Sequence, residues 1–569
     1  MTTRQRDTET DSGSDDDELS LTRRTALALF GAAGTGAAAT GRADATAGTE
    51  PKQMDDGPSG RPWNRDVDAG GHSLDNLGSI DVDHVHTPAR AADVVVWKDE
   101  EGVFHADGPD DRIASGEDVL TAAQAAVDGL TDDRDWKETV SIVSPGSVPY
   151  NDGEFRSIEL PSHTVLDVAA PLSFEYESGE YSNAIAVTAT DAEHVEVPQL
   201  TVEGGPWMAL RFQRCSNVRI GDVTVLYDED ADTNDGVRID NGYDIGTPKR
   251  CEDVRIESVY LENGGHHAVE TYGVDRLQVD RVLATDIGGC AVLLNQTTDA
   301  TINSVIGRSP GGPAGYPTFR LANFCNNVSV GQVVSRGGMK GIMLLTARNA
   351  SIGEVNIVGA KDSGIFASAS FNVSISGGVI KNCEGEAIRV HGYPEGQFDY
   401  TLPTEGITVS NVRMLDDRPE GERTQTHGIR ETGPTAFGNQ YVDNDVRKGG
   451  TVSPIAVSSS SSVVAGNVGD GEASGTTTLS PGASPAARVE GVSPHKDATL
   501  ELRAKAYEGP DAAFAWESYF EWTGDQWDLV VEWRTDPGAE LTLDYVVDRP
   551  QANLDRRQFE DDWEDFQME

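Results

Sequence analysis

Apolar and polar residues alternate over short stretches through the middle of the chain, and a period of two reads as half-buried β-strand. The alternation recurs in units. Segments of the form Asn/Asp-Val-x-Ile-x-x-Val stand at Asn217-Val218-Arg219-Ile220, Asp253-Val254-Arg255-Ile256, Asp299-Ala300-Thr301-Ile302, Asn327-Val328-Ser329-Val330, Asn349-Ala350-Ser351-Ile352 and Asn372-Val373-Ser374-Ile375, with Arg276 in the same slot after Asp253. Successive first positions lie 36, 23, 23, 28, 22 and 23 residues apart. Each unit carries a second strand opened by a small residue, as in Gly236-Val237, Ala268-Val269, Ala291-Val292, Gly341-Ile342, Gly364-Ile365 and Ala387-Ile388. Such short period-two strands exclude a helical repeat, and the Leu-x-x-Leu-x-Leu pattern of leucine-rich repeats is absent. The remaining solution is all-β: a parallel β-helix over residues 155–450, one coil per unit. The Asn/Asp column falls at a turn, where stacked amide side chains are expected to be buried against turn backbone.

The ends of a coil stack need covers. In the N-terminal cap region 91–154, Val119, Ala123, Ala126, Val127 and Leu130 recur at helical spacing behind Ser115, which predicts a capping helix over 116–130 with Ser115 as N-cap. Residues 451–485 are rich in Ser, Gly and Thr and read as a linker. Residues 486–550 hold short alternating runs, Leu500–Leu502, Phe514–Trp516, Tyr519–Trp522, Trp527–Val531 and Leu541–Tyr545, which predict a small antiparallel β-sandwich. Its Trp516, Trp522, Trp527 and Trp533 suit a binding or assembly module. The tail 551–569 is acidic.

Upstream, Arg23-Arg24 precede an Ala/Gly-rich apolar run and Ala43-Asp44-Ala45, a small-residue cleavage site. Residues 1–45 therefore read as a twin-arginine export signal, followed by a linker over 46–90. The run is too short for a good membrane span, so a secreted or cell-surface protein without a span in its mature form is expected, the alternative being an uncleaved N-terminal anchor. The five cysteines, Cys215, Cys251, Cys290, Cys325 and Cys383, form no CxxC pair. They read as small buried hydrophobes.

Charge changes the picture of the partner. The 569 residues hold 45 Lys and Arg against 95 Asp and Glu, a formal net charge of −50. The excess runs along the whole chain, and self-repulsion of that size calls for screening, so adaptation to high salt is expected. Sequence-independent nucleic-acid binding is excluded, because no basic stripe offsets such a charge. No phosphate loop, zinc spacing or G-x-S-x-G elbow is present.

One pair of motifs is more specific. Thr233-Asn234-Asp235-Gly236-Val237-Arg238-Ile239 is followed one coil later by Gly264-Gly265-His266-His267-Ala268-Val269. The pair resembles the N-T-D-G-I-D-I and G-D-D-C-I-A-I motifs of polygalacturonases, and the coils resemble the pectate lyase and polygalacturonase superfamily of right-handed parallel β-helices. Asp235 matches the first aspartate, whereas His266 and His267 replace the paired aspartates. The G-H-G coil stands here as Gly288-Gly289-Cys290, and the R-I-K motif has no counterpart. The resemblance implies the pectin lyase-like fold and a carbohydrate-active protein. It does not imply ordinary polygalacturonase activity, which needs carboxyl groups on both sides of the scissile bond.

Aligning the coils on the small residue that opens the second strand gives an outward column two places on: Arg211, Arg238, Glu270, Leu293, Arg320, Met343, Phe366, Arg389 and Arg430. Five arginines in one column stand out in so acidic a chain. Coils lie about 4.8 Å apart, so Arg211, Asp235, Arg238, Asp240, His266, His267, Glu270 and Tyr272 should share three coils, with Arg320 and Lys340 further along. Such a face suits an acidic polysaccharide, because guanidiniums bind carboxylates in bidentate fashion. A neutralised uronate has a more acidic C5 proton, which a neighbouring base can remove in β-elimination. The expected catalytic residues are His267, Glu270, Asp235 and Arg238. The expected substrate-binding residues are Arg211, Asp240, His266, Tyr272, Arg320 and Lys340. Lyase and hydrolase chemistry both remain open. The alternatives are that Arg238 and Glu270 merely pair across the sheet, and that the protein is a non-catalytic glycan-binding surface or adhesion protein. Asp228-Glu229-Asp230-Ala231-Asp232 offers oxygen ligands for Ca²⁺ or is a solvated charge run; no other metal or cofactor is expected. Of the N-x-S/T sequons at Asn295, Asn327, Asn349 and Asn372, Asn295 is the expected glycan acceptor, since it falls in an outward column.

Overall fold

A computed structural model describes residues 92–548 except 110, 152, 154, 243–248, 309–314, 394–401, 470–472, 494–498, 508, 510–513 and 525. The export signal, the linker 46–90 and the tail 551–569 lie outside the described residues. The coils stack as parallel strands in register. One wall has twelve short parallel strands, from Arg156–Glu159 to Ser453–Val457. An opposing set of long strands, such as Cys251–Glu262 and Asn326–Arg336, runs in the same sense from coil to coil. Alternation puts one apolar side chain per coil in line inside the short-strand wall. Leu210, Val237, Val269, Val292, Phe319, Ile342, Ile365, Ile388, Ile429 and Ile455 are direct neighbours and buried throughout.

The next inner column is Phe212, Ile239, Thr271, Leu294, Leu321, Leu344, Ala367, Val390, Glu431 and Val457. Glu431 is a carboxyl group inside the core. It accepts hydrogen bonds from the Tyr441 hydroxyl and Asn439 Nδ2, each at 2.8 Å, and from Ser462 Oγ at 2.8 and 3.0 Å. Burial nevertheless pushes its pKa up to about 7.

The N-terminal cover is the helix Val119–Asp128, whose Val119, Leu120, Ala122, Ala123, Ala126 and Val127 join the solenoid core. Its N-cap is Asp118, not Ser115. The Asp118 backbone is extended, and its carboxylate accepts from the Thr121 N–H at 3.1 Å and the Thr121 hydroxyl at 2.8 Å. Ser115 instead lies in the strand Arg112–Gly116, with its hydroxyl 2.8 Å from His105 Nδ1.

Two further expectations change. The segment 451–485 carries the strands Ser453–Val457, Val463–Ala465 and Ala473–Leu479; the first two pair in parallel with the preceding coil, because backbone hydrogen bonding there does not need large side chains. The Asn/Asp column is exposed rather than buried. Asn217, Asp253, Arg276, Asp299, Asn327, Asn349 and Asn372 all have φ between 47 and 60°. Left-handed backbone favours Asn and Asp, and this explains the recurrence. The amides do form a ladder at the surface: Asn372 Nδ2 donates to Asn349 Oδ1 at 2.7 Å, and Asn349 Nδ2 to Asn326 Oδ1 at 2.9 Å.

Beyond the last coil, two three-stranded antiparallel sheets share a core of Leu479, Leu529, Val531, Leu541, Leu543 and Val547, and so form a small β-sandwich. Trp527 Nε1 donates to the Val457 carbonyl at 2.9 Å, and Arg430 Nη2 to the Gly524 carbonyl at 2.9 Å, which joins the sandwich to the coil end. Trp516 and Trp533 pack on the sandwich core, so three of the four tryptophans serve packing instead of an open binding surface.

Candidate functional site

The short-strand wall aligns the outward residues strand by strand: Arg211 beside Arg238, then Glu270, Leu293 and Arg320. Gln213, Asp240, Tyr272 and Asn295 form the parallel column two residues on. The three coils around Asp235 thus gather the residues the column alignment grouped.

Their electrostatics differ from an open basic face. Arg238 Nη1 donates to Asp235 Oδ2 at 2.8 Å and lies 2.8 Å from Glu270 Oε2, while its Nε lies 3.2 Å from Asp240 Oδ2. Arg211 Nε donates to the same Asp240 oxygen at 3.0 Å. Asp235, Arg238, Asp240 and Glu270 are all buried. Three carboxyl groups therefore face two guanidiniums, and a proton on Glu270 brings the cluster to neutrality. Burial first, then the neighbouring Asp235 charge, raise the Glu270 pKa well above the carboxylate range. Arg238 and Glu270 do pair across the sheet. The ring of Tyr272 lies 5.4 Å from the Arg238 guanidinium, and burial raises its phenol pKa.

His267 is enclosed. Its N–H donates to Asp235 Oδ1 at 3.0 Å, and its ring Nδ1 accepts from the Cys290 N–H at 2.7 Å. The neutral ring consequently carries its proton on Nε2, which lies 4.0 Å from Glu270 Oε1. Burial lowers its pKa to about 4. Such a ring has no lone pair to offer a substrate, which tells against the base role expected of it. The coil after it approaches so closely that a Cβ on Gly289 would stand 2.4 Å from His267 Nδ1. His266 is the opposite case. Its side chain is 51% exposed, and Nδ1 lies 3.9 Å from Asp235 Oδ1.

Arg320 makes no ion pair with any described residue. Its guanidinium stands over the Tyr316 ring at 5.8 Å, and that ring lies 5.0 Å from His267 and 6.4 Å from His266. Lys340 is not part of this group: its Nζ pairs with Asp362 at 2.7 Å. Arg430 pairs with Glu386 at 2.8 Å. Two neighbours escaped the sequence reading. Tyr316 stands just before Pro317, one step off the aligned column, and its place on the Arg320 coil was the available signal. Asn295, expected as an exposed glycan acceptor, is buried in the cluster, with Nδ2 3.5 Å from Glu270 Oε1 and Oδ1 accepting from Asn323 at 2.9 Å. The three exposed sequon asparagines, Asn327, Asn349 and Asn372, belong to the left-handed surface column.

Asp235, His266 and His267 place one ligand atom each within 4.8 Å of one another. They fit a cation poorly, because Asp235 already accepts from Arg238 and His267, and His267 Nδ1 is occupied by Cys290. Among the described residues no such grouping forms in the run 228–232, where the Asp230 carboxylate accepts from the Tyr176 and Ser178 hydroxyls at 2.5 and 2.8 Å.

No family model matches the chain, and no curated protein matches it. Among solved structures it is similar to the A-module of a mannuronan C-5 epimerase of Azotobacter vinelandii, at 12% identity over 62% of this chain and 94% of that one, with a TM-score of 0.45. It is also similar to the tailspike of E. coli bacteriophage HK620 in complex with a pentasaccharide, at 12% identity over 76% and 90%, TM-score 0.40. A third is bacteriophage phi29 gene product 12, at 15% identity over 62% and 54%, TM-score 0.43. The coils themselves identify the architecture: the chain is a parallel β-helix protein.

Proposed function

We propose that the protein acts on a uronate-containing polysaccharide lying along the short-strand wall, by removing the C5 proton of a uronate and eliminating across C4–C5. The observation that carries this reading is Arg320, a guanidinium without a carboxylate partner among the described residues, which borders the same Tyr316 ring as the exposed His266 in a chain of net charge −50. Arg320 binds the uronate carboxylate and stabilises the charge that develops on it. His266 takes the C5 proton, with Asp235 behind it to steady the imidazolium. The electrons of the C5–H bond form the C4–C5 double bond, the C4–O bond breaks, and Glu270, protonated near neutrality, supplies the proton for the leaving oxygen. Arg23-Arg24 and the acid excess support the further reading that the chain is exported into a salty medium, secreted or held at the cell surface.

The burial of Arg238, Asp235, Asp240 and Glu270 favours a second reading, in which the cluster only braces a glycan-binding wall. One experiment separates the two. Purified protein is incubated in molar salt with pectate and with alginate, in light and heavy water. Absorbance of unsaturated uronate, new reducing ends and deuterium at C5 are followed. Elimination gives unsaturated uronate and new reducing ends and leaves no hydrogen at C5 of the product, whereas deuterium at C5 of intact polymer would mark reprotonation instead; His266→Ala and Arg320→Gln each remove the elimination signals. Retention of polymer without any of these signals makes the protein a binding module. Absence of both retention and turnover on every polyuronate sinks both readings.

A further inference from the structure

The outward column continues past Arg211 to Thr188 on the strand Ala184–Thr190, toward the N-terminal cover. Beside it stands an aromatic group with no role in the site above. Phe155 is 48% exposed and meets Trp207 edge-on at 5.4 Å, and Tyr181 lies 6.2 Å from Trp207 on its other contact. Phe155 and Trp207 border a groove of about 380 Å³ that Thr188, Thr190, Gln213 and Glu159 also line. Large exposed aromatic surface costs solvation free energy and marks contact surfaces. This groove is continuous with the candidate site along one column of strands, which argues for the same occupant in both.

The chemistry of the lining says how that occupant is held. Arg211, the guanidinium of the groove, is bonded to Asp240, and Glu159 would repel a second carboxylate. What remains is an aromatic face flanked by the Thr190 hydroxyl, the Thr188 hydroxyl, which lies 2.8 Å from Ser157 Oγ, and the Gln213 amide, whose Nε2 donates to Asp240. We propose that this groove is a distal sugar subsite, in which a pyranose ring stacks its C–H face on Trp207 and Phe155 and its hydroxyls bond Thr188, Thr190 and Gln213. The proposal rests on the reading that the wall binds a polysaccharide. Four strand steps separate the strand Met208–Gln213 from the strand Pro317–Ala322, about 19 Å, so a short oligosaccharide spans both. The two ends then hold by different forces. Arg320 attracts by charge, which salt screens over roughly 3 Å at 1 M. Stacking is apolar and is not screened. In brine the aromatic end therefore carries the larger share of the affinity.

The test uses the full chain and two probe series, galacturonate and alginate oligomers from disaccharide to octasaccharide, with calorimetry and tryptophan fluorescence at low and at molar salt. Affinity should rise about tenfold once an oligomer is long enough to reach the groove, and that step should persist in molar salt. Trp207→Ala should remove the step and leave the affinity for the shortest binding oligomers unchanged. Phe155→Ala, at an exposed position that does not endanger folding, should diminish it in the same way. Arg320→Gln should keep the step and lower the affinity at every length. A length step that survives Trp207→Ala, or wild-type binding without any step, overturns the subsite while leaving the wall reading intact. No binding at any length in either series overturns the wall reading and the subsite with it.

Discussion

Arg238 and Arg320 occupy the same register position three strands apart, about 14 Å, and have opposite surroundings. Arg238 is buried against Asp235, Asp240 and Glu270. Arg320 lies against a tyrosine ring and has no carboxylate partner among the described residues. One is a structural ion; the other is the guanidinium that the proposed function assigns to a ligand. The difference lies in the neighbouring strands: a carboxylate stands one coil from Arg238, whereas Leu293 and Met343 flank Arg320. A column of like residues is therefore not yet a binding face, and the residue above and below each member decides what it can do.

The contrast can be broken most forcefully at Arg238. Arg238→Met leaves three carboxyl groups facing Arg211 alone, and removal of one partner from a buried ion cluster costs about 3–5 kcal/mol. Denaturant unfolding at fixed salt reads this, and a loss below about 1 kcal/mol would show that Arg238 is not the hub of the cluster.

Glu431 sharpens the contrast from another side, since its carboxyl is compensated by neutral donors and not by a guanidinium. Its folded pKa of about 7 lies above the ordinary 4.5, so the folded state holds the extra proton between those values. Stability on its account is highest below about 4.5 and falls as pH rises to about 7, by up to about 3 kcal/mol. Glu270 acts in the same direction, so the informative quantity is wild type minus Glu431→Gln across this window. A pH-independent difference would place the Glu431 proton elsewhere.

The smallest stability effect is expected at Arg320. Arg320→Gln should change unfolding free energy by no more than about 0.5 kcal/mol, since no ion pair with a described residue is lost, while the proposed elimination disappears. A destabilisation as large as that of Arg238→Met would make the two arginines equivalent.

The stacking of coils was legible because two local signals agree: alternation places Val237, Val269 and Val292 inside, and the small residue before each marks the strand start. Once those starts are aligned, Arg211, Arg238, Glu270 and Arg320 fall into line without knowledge of any distance. What the alignment does not carry is burial. Asp235 and Asp240 belong to the turn and strand that close over Arg238, and Lys340 is taken by Asp362 from the next coil. The Asn column misled for a related reason: the same residues satisfy a buried amide ladder and a left-handed turn, and only the backbone angle separates them. Asp118 outcompetes Ser115 as cap because it directly precedes the first helical residue. The Ser-rich stretch after 451 reads as linker by composition, yet the last coil offers it open backbone partners.

Five thiols lie at different coils of one stack: Cys215, Cys251, Cys290, Cys325 and Cys383 are all buried and unpaired with one another. Burial pushes Cys251 and Cys383 up to about 12 and Cys325 up to about 11, so none of these forms thiolate near neutrality while its coil is closed. A thiol reagent then reacts only when the coil opens, at a rate set by the opening free energy of that coil. Because each coil touches mainly its neighbours, opening can spread from an end or begin in the middle. The native cysteines thus form a built-in set of kinetic probes, and their order of labelling would map where along its length this solenoid first comes apart.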